Sequence, residues 1–193
     1  MPEVPETAQV ETAQLRVAEF AALRRAIAAR VTARIVIAPV TCAVWATLTL
    51  VLVLFSDVPL ATLLSLAVLI GGCEAIHALH VGAERIGRYL QVQYEGTADG
   101  PRWETAAMAV GPSLPGGGVD PLFSAVFAGG AVLNLLSALV VLAEPTVPEL
   151  GLLGAVHLAF VFRLIRARVA AARQRAVELE SFRTLLLRQR DRG

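Results

Sequence analysis

Four long runs of apolar residues dominate the chain, and each is close to the length of a membrane span. A bilayer core about 30 Å thick is crossed by a helix of roughly 20 apolar residues. The runs are Ile35 to Phe55, Pro59 to Val81, Pro121 to Ala143 and Pro145 to Phe162. Because only short segments join the first run to the second and the third to the fourth, we predict an all-α, polytopic membrane protein. Its four transmembrane helices would form a four-helix bundle of two antiparallel hairpins.

Three of these helices are predicted to continue beyond the apolar runs. Residues 8–34 place apolar side chains three and four positions apart, which is the spacing of an amphipathic helix. Residues 83–95 extend the second run and residues 163–190 extend the last. We expect these three extensions to pack together, and we call them the stalk. In the last extension, apolar residues repeat as in a short coiled-coil seam, at Ile165, Val169, Ala172, Ala176, Leu179 and Leu186.

The patterns divide the chain into five expected parts. They are an N-terminal cytoplasmic amphipathic helix (1–34), a first transmembrane hairpin (35–82), a cytoplasmic helix extension with a Gly/Pro-rich loop (83–120), a second transmembrane hairpin (121–162) and a C-terminal coiled-coil-like cytoplasmic helix (163–193). Six glycines and three prolines between Gly96 and Gly118 predict mostly loop there. The loop has room for one short helix, over residues 101–110.

Composition supports a membrane protein and excludes several other classes. Apolar residues make up 56% of the chain and charged residues 17%, whereas a typical soluble domain has about 45–50% and about 25%. The net charge of +1 argues against a nucleic-acid partner. Two cysteines cannot form a disulfide framework.

The arginines predict the orientation of the spans. All 17 basic residues are arginine, and none lies in either short connection between paired spans. With four spans, every arginine falls on one side of the bilayer, which by the positive-inside rule is the cytoplasm. We therefore expect a multi-pass protein of the cell membrane with both termini cytoplasmic. The absence of lysine indicates a GC-rich, bacterial source.

Polar residues form a stripe along the second span and its extension. At 100° per residue they fill an arc of about 140°. The upper members are Glu74, His77 and His80, and the cytoplasmic continuation comprises Glu84, Arg85, Arg88 and Glu95. Glu74 lies 11 residues before Arg85, or about 16 Å along a helix, which predicts a position near the middle of the membrane. An ionisable group there is a functional candidate.

Asn134, Ser137 and His157 on the other spans are the expected partners of this stripe, and Glu74 and His157 are expected to be able to meet. Three interpretations remain open. The stripe would line an ion or proton pathway, hold a metal or haem, or form a hydrogen-bonded core that fixes helix register. Trp45 is expected to face lipid or the membrane interface.

A metal site, if present, would use Glu74, His77 and His157, with His80 as a further ligand. The Glu74-x-x-His77 spacing occurs in di-metal bundles, but those contain two such motifs and further glutamates, and this chain has only one. No cofactor is favoured.

The stripe suggests an oligomeric channel-like or transport-related protein, in which several copies enclose a pathway. The alternatives are a metal- or haem-dependent membrane oxidoreductase and a non-catalytic scaffold that binds a cytoplasmic partner through the stalk. The expected partners are the lipid bilayer, further copies of the chain and a cytoplasmic protein. No enzymatic motif or family signature is evident, which favours a non-enzymatic role.

Overall fold

The computed structural model describes residues 6–95, 102–110, 121–141 and 146–190. Within these ranges every regular element is helical, and a single 3-10 turn at Pro59–Ala61 precedes the second helix. The helices are α1 (Glu6–Phe55), α2 (Thr62–Tyr94), α3 (Trp103–Val110), α4 (Pro121–Val141) and α5 (Val147–Arg190). By length and composition, α1, α2, α4 and α5 could each cross a membrane, as predicted.

The predicted continuation of three spans into longer helices is confirmed. Helix α1 runs through Pro39 without ending, α2 reaches Tyr94, and α5 reaches Arg190. The short helix expected over 101–110 is also present, as α3. Most of the predicted loop lies outside the described residues.

A proline begins the turn that leads into α2, and local hydrogen bonds accompany the start of α5. Pro59 lacks a backbone N–H and so suits the start of a helix, and the Thr62 hydroxyl donates to its carbonyl at 2.7 Å. At the start of α5, the Glu149 carboxylate accepts from the backbone N–H of Thr146 at 3.3 Å and from its hydroxyl at 2.7 Å. This Thr-x-x-Glu arrangement is related to a capping box.

Contacts between helices give their relative directions. Positions that rise along α1 meet positions that fall along α2, in the pairs Glu19–Tyr94, Arg34–His80 and Thr41–Gly72. Positions rise together along α2 and α5, in the pairs Glu74–Arg163, Arg88–Glu178 and Tyr89–Phe182. The three segments of the stalk therefore lie at one end of the bundle and pack around the last turns of α2.

An apolar core joins α2, α4 and α5. Its buried members are Leu66, Leu69, Ile76, Phe127, Ala131, Phe160 and Leu164. Large apolar side chains also cover the outside of the spans, including Val40, Leu50, Leu133, Val140 and Leu158. Since lipid is as apolar as these side chains, helix association in a bilayer depends on close packing and hydrogen bonds rather than on the hydrophobic effect.

Gly72 of α2 packs directly against Thr41 of α1. A Cβ added there would overlap the side chain of Thr41, which is buried and β-branched. We expect Gly72→Ala to destabilise the protein by about 1–3 kcal/mol, because neither helix can move away without losing contacts. Gly71→Ala is the matched control, since a Cβ at Gly71 has nothing within 4 Å. Unfolding in mixed micelles would measure both, and equal stability of the two variants would contradict the packing.

The predicted coiled-coil seam is only partly covered in the single chain. Ile165, Val169 and Ala176 are exposed, while Leu179 and Leu186 are half-buried. The side chain of Ala172 lies outside the described residues. Self-association through this seam therefore stays a prediction.

Candidate functional site

Glu74, the upper end of the polar stripe, pairs with an arginine. The Arg163 guanidinium donates to its carboxylate at 2.7 Å, and the two side chains are 46% and 41% exposed. Arg163 is the first arginine after the last apolar run. Glu74 therefore lies level with this arginine, and the ion pair takes the place of the expected contact with His157. The depth of Glu74 in the membrane stays a prediction. A guanidinium compensates a carboxylate better than a neutral imidazole does.

Asn134 is the centre of a buried polar cluster that connects all four spans. Its side-chain oxygen accepts from the Trp45 indole at 3.1 Å and from the Ser65 hydroxyl at 2.5 Å. Its side-chain nitrogen donates to the Thr62 carbonyl and lies against Nε2 of His157, both at 3.2 Å. These five residues form what we call the polar core. An amide has two acceptor sites and two donors, so Asn134 is fully satisfied.

The environment of His157 fixes its role in the polar core. Its Nδ1 lies 2.7 Å from the Leu153 carbonyl, an acceptor, and its Nε2 faces the Asn134 amide nitrogen, a donor. Both contacts are satisfied by a neutral imidazole with the proton on Nδ1. The sequence had identified Asn134 and His157 as partners of the stripe and had placed Trp45 facing lipid or the membrane interface. In the structure Trp45 is half-buried, and its indole N–H donates to Asn134 inside the bundle. The polar core is a closed set of hydrogen bonds.

Four other residues of the stripe, His77, His80, Glu84 and Arg88, line two adjoining cavities. The smaller, of about 50 Å³, is lined by Cys73 and His77 among others, and we call it the upper cavity. The larger, of about 290 Å³, lies between stalk segments and includes Glu84 and Arg88; we call it the vestibule. His80 and Arg34 line both cavities. Arg34 Nη1 lies 3.2 Å from His80 Nδ1, so this pair stands between the two spaces.

An apolar layer forms part of the wall of the upper cavity. Ile76, Phe127 and Leu164 line the cavity and also belong to the apolar core. The polar core lies further along the bundle, at Ser65, nine residues before Glu74 on α2, or about 13 Å. Within the described residues, the stripe therefore faces open space only over its stalk-side part.

Arg88 is the most deeply buried charge of the stripe, with only 3% of its side chain exposed. It donates to Glu84 at 2.5 Å and to Glu178 of α5. Arg85 also donates to Glu178, at 3.0 Å. Burial raises the pKa of the Glu178 carboxyl, but hydrogen bonds from Arg88 and Arg85 outweigh this and hold the pKa below its ordinary value. This ion-pair cluster of Glu84, Arg85, Arg88 and Glu178 joins α2 to α5.

Glu95, the last member of the stripe, caps α3 instead of lining a cavity. Its carboxylate accepts from the backbone N–H groups of Glu104 and Thr105, both at 2.6 Å. An anion at these free N–H groups stabilises a helix start. The Glu104 carboxylate in turn binds Arg24 of α1 at 2.7 Å. Burial raises the pKa of Glu104, and Arg24 opposes that rise. Helix α3 is thereby held beside the vestibule.

Sequence reasoning also missed a clamp between α1 and the end of α2. The Glu19 carboxylate accepts from the Tyr89 hydroxyl at 2.9 Å and from the Tyr94 hydroxyl at 2.7 Å. The Phe20 ring lies 5.3 Å from that of Tyr94. Phe20 is one of the apolar positions of the amphipathic pattern in residues 8–34, but no sequence signal pairs Glu19 with residues 70 and 75 positions away.

The structure gives no metal centre in the part of the chain that it describes. No three His, Cys, Asp or Glu side chains in those ranges lie close enough to hold an ion. Of the residues considered as ligands, Glu74 pairs with Arg163, His77 lines the upper cavity and His157 belongs to the polar core.

Comparison with known proteins gives no match: no family model, curated protein or solved structure is similar to this chain.

Proposed function

We propose that this is a transport-related protein of the cell membrane, with both termini in the cytoplasm and a vestibule that opens to the cytoplasm. The observation that carries the proposal is that His77, His80, Glu84 and Arg88 line two adjoining cavities, even though Glu84 and Arg88 also belong to the ion-pair cluster with α5. A polar stripe that merely fixed register would be closed, as the polar core is. The geometry therefore favours a solute-accessible site over the last turns of the second span.

The two ends of the bundle have different roles in this proposal. The apolar layer and the polar core close the far side, since both bind α2 tightly to α4 and α5. A solute that enters from the stalk side reaches the pair of Arg34 and His80 and, beyond it, the upper cavity. Passage to the other side requires the helices to separate at the apolar layer, or a second path between several copies.

The orientation is tested by reporter tags. Tags at both termini and within residues 96–118 should report the cytoplasm, and a tag between Ser56 and Pro59 should report the outside. The reason is that all 17 arginines lie in the terminal segments or in the segment that joins the second span to the third, and the positive-inside rule predicts that these face the cytoplasm. Termini on opposite sides of the membrane would contradict both the four spans and the cytoplasmic vestibule.

Access to the upper cavity is tested with its own cysteine. In a Cys42→Ser background, Cys73 is the single thiol and lines that cavity. A membrane-impermeant methanethiosulfonate should label Cys73 in inside-out vesicles and leave it unlabelled in right-side-out vesicles. A cysteine placed at Ala131 of the apolar core, in a chain without Cys42 and Cys73, is the buried control. Absence of labelling from the stalk side would contradict access from the vestibule to the upper cavity.

A scaffold role is favoured by a second observation. Large apolar side chains are exposed on the stalk, beyond the apolar runs, at Val10, Leu15, Val17, Val177, Leu185 and Leu187. Exposed apolar groups away from lipid are typical of surfaces that bind another protein. A photo-reactive amino acid at Leu15 should then crosslink to a partner in cells, and one at the polar position Gln14 should do so less.

A further inference from the structure

The vestibule is large enough for a small ligand and is lined by four helices. Its volume of about 290 Å³ is near the lower end of the range for small-molecule sites, about 300–1,000 Å³. Its charged and polar lining comprises Arg34, His80, Glu84, Arg88, Glu104 and Arg175. This lining brings together residues from α1, α2, α3 and α5, so a bound group would contact all of them.

The carboxylates of the vestibule are already paired. Glu84 binds Arg88 at 2.5 Å and lies 3.5 Å from His80, and Glu104 binds Arg24 at 2.7 Å. Arg175 makes no ion pair with any described residue. Three arginines against two glutamates in the lining leave an excess of positive charge. The vestibule therefore favours an anion over a metal ion or an organic cation.

Several nitrogen atoms of the lining are buried without a hydrogen-bond partner among the described residues. They are Nε of Arg88, Nε of Arg175 and Nε2 of His80, the last lying 3.5 Å from a Glu84 carboxylate oxygen, which is too long for a good hydrogen bond. Because a guanidinium can only donate, the contact of Arg34 with His80 Nδ1 makes that atom the acceptor and leaves the proton on Nε2 when the ring is neutral. All three atoms are then donors. Arg88 is buried to more than nine-tenths, so its unsatisfied donor is costly unless a ligand supplies an acceptor.

We propose that the vestibule binds a phosphate group, carried either by a small solute or by a lipid headgroup at the inner membrane surface. The proposal rests on the proposed function, because it assumes that the vestibule is reached from the cytoplasm. Arg88 of α2 and Arg175 of α5 line the vestibule from two different helices, which suits an anion with several acceptor oxygens. Arginine is the side chain best adapted to phosphate oxygens. Arg175, which has no carboxylate partner among the described residues, is the principal ligand.

Calorimetric titration of the purified full-length protein in detergent tests the site. The probes are inorganic phosphate for the solute, and short-chain phosphatidic acid for the headgroup, with the matching diacylglycerol as the phosphate-free control. Arg175→Gln should weaken binding about tenfold or more, the loss expected for a hydrogen bond to a charged group. Arg173→Gln is the matched control, since Arg173 is exposed on the same helix. His80→Gln is a second variant, in case Arg175→Gln lowers the melting temperature.

Binding of inorganic phosphate that is weakened by Arg175→Gln or His80→Gln and kept by Arg173→Gln would support a solute ligand. Binding of phosphatidic acid alone, with the same dependence, would identify the headgroup as the source. Absence of binding for both probes, or equal weakening by Arg173→Gln, would overturn the proposal. Because this titration does not depend on sidedness, its failure is distinct from a failure of Cys73 to be labelled from the stalk side.

Discussion

Asn134→Leu should destabilise the membrane section by about 2–4 kcal/mol. The change removes four hydrogen bonds at once and leaves the Trp45 indole without its buried acceptor, whereas the Ser65 hydroxyl can still donate to the Thr62 carbonyl at 2.8 Å. Hydrogen bonds between membrane helices contribute on average about 0.6 kcal/mol each, with a maximum near 1.7, and an unsatisfied buried group costs about 1–3 kcal/mol. Unfolding with increasing concentrations of a denaturing detergent, monitored by tryptophan fluorescence, would measure the difference in the free energy of unfolding between wild type and Asn134→Leu.

Ser137→Ala is the control for Asn134→Leu. Ser137 lies on the same helix, and its hydroxyl donates to the Leu133 carbonyl of its own turn at 2.8 Å, so it connects no second helix. We expect a change of less than about 0.5 kcal/mol, as for substitutions away from buried networks. Wild-type stability of Asn134→Leu would show that the polar core does not hold the four spans together.

Glu178→Leu should have a comparable effect on the stalk. It would leave Arg88 buried, with Glu84 as its one remaining carboxylate. Removing one member of a buried ion pair costs about 3–5 kcal/mol. We expect the contact between α2 and α5 to be lost more readily than in wild type, which would be measured as faster protease cleavage of the last part of α5. Glu180→Leu is the control, because Glu180 is exposed on the same helix.

Acid should weaken the same ion-pair cluster, because the pKa of Glu178 is lowered in the folded protein. Glu178 lies in the stalk, and its pKa in the folded protein is below the ordinary value of 4.5. Its contribution is therefore complete above that ordinary value and is lost as the pH falls through the lower, folded value. Melting temperatures between pH 6 and about 3 should decline more steeply for wild type than for Glu178→Gln. Identical slopes for the two proteins would contradict a stabilising contribution from the ionised Glu178 carboxylate.

The helices could be predicted from the sequence because their signals are local. Apolar length defines four spans, and the 3.6-residue period predicts that three of them continue, without any knowledge of neighbours. The partners of polar groups could not be predicted in this way. Glu74 was expected to reach His157, but the register of α2 against α5 brings Arg163 to it instead. Rotation and register depend on packing at particular residues, such as Gly72 on Thr41.

The candidate site was predicted in part for the same reason. The stripe identified His80, Glu84 and Arg88 because they share one face of α2. The residues that complete the vestibule, Arg34 and Arg175, come from helices 46 and 87 positions away from His80 and Arg88 respectively. The positive-inside rule had explained Arg34 and Arg175, and that rule requires no contact with another residue. Because that rule already accounts for both arginines, nothing in the sequence indicates that they also line a cavity.

Helix α1 is a single rod that passes from the stalk into the span, and this makes it a lever. Its 50 residues extend about 75 Å. Pro39 lies inside it and cannot donate to the carbonyl of Ile35, so bending is easiest there. A tilt of about 5° at that point would move Glu19 by about 2–3 Å, from a rise of 1.5 Å per residue. Arg34 lies between this fulcrum and Glu19, so a small displacement beside the vestibule would be amplified towards the free end of the stalk.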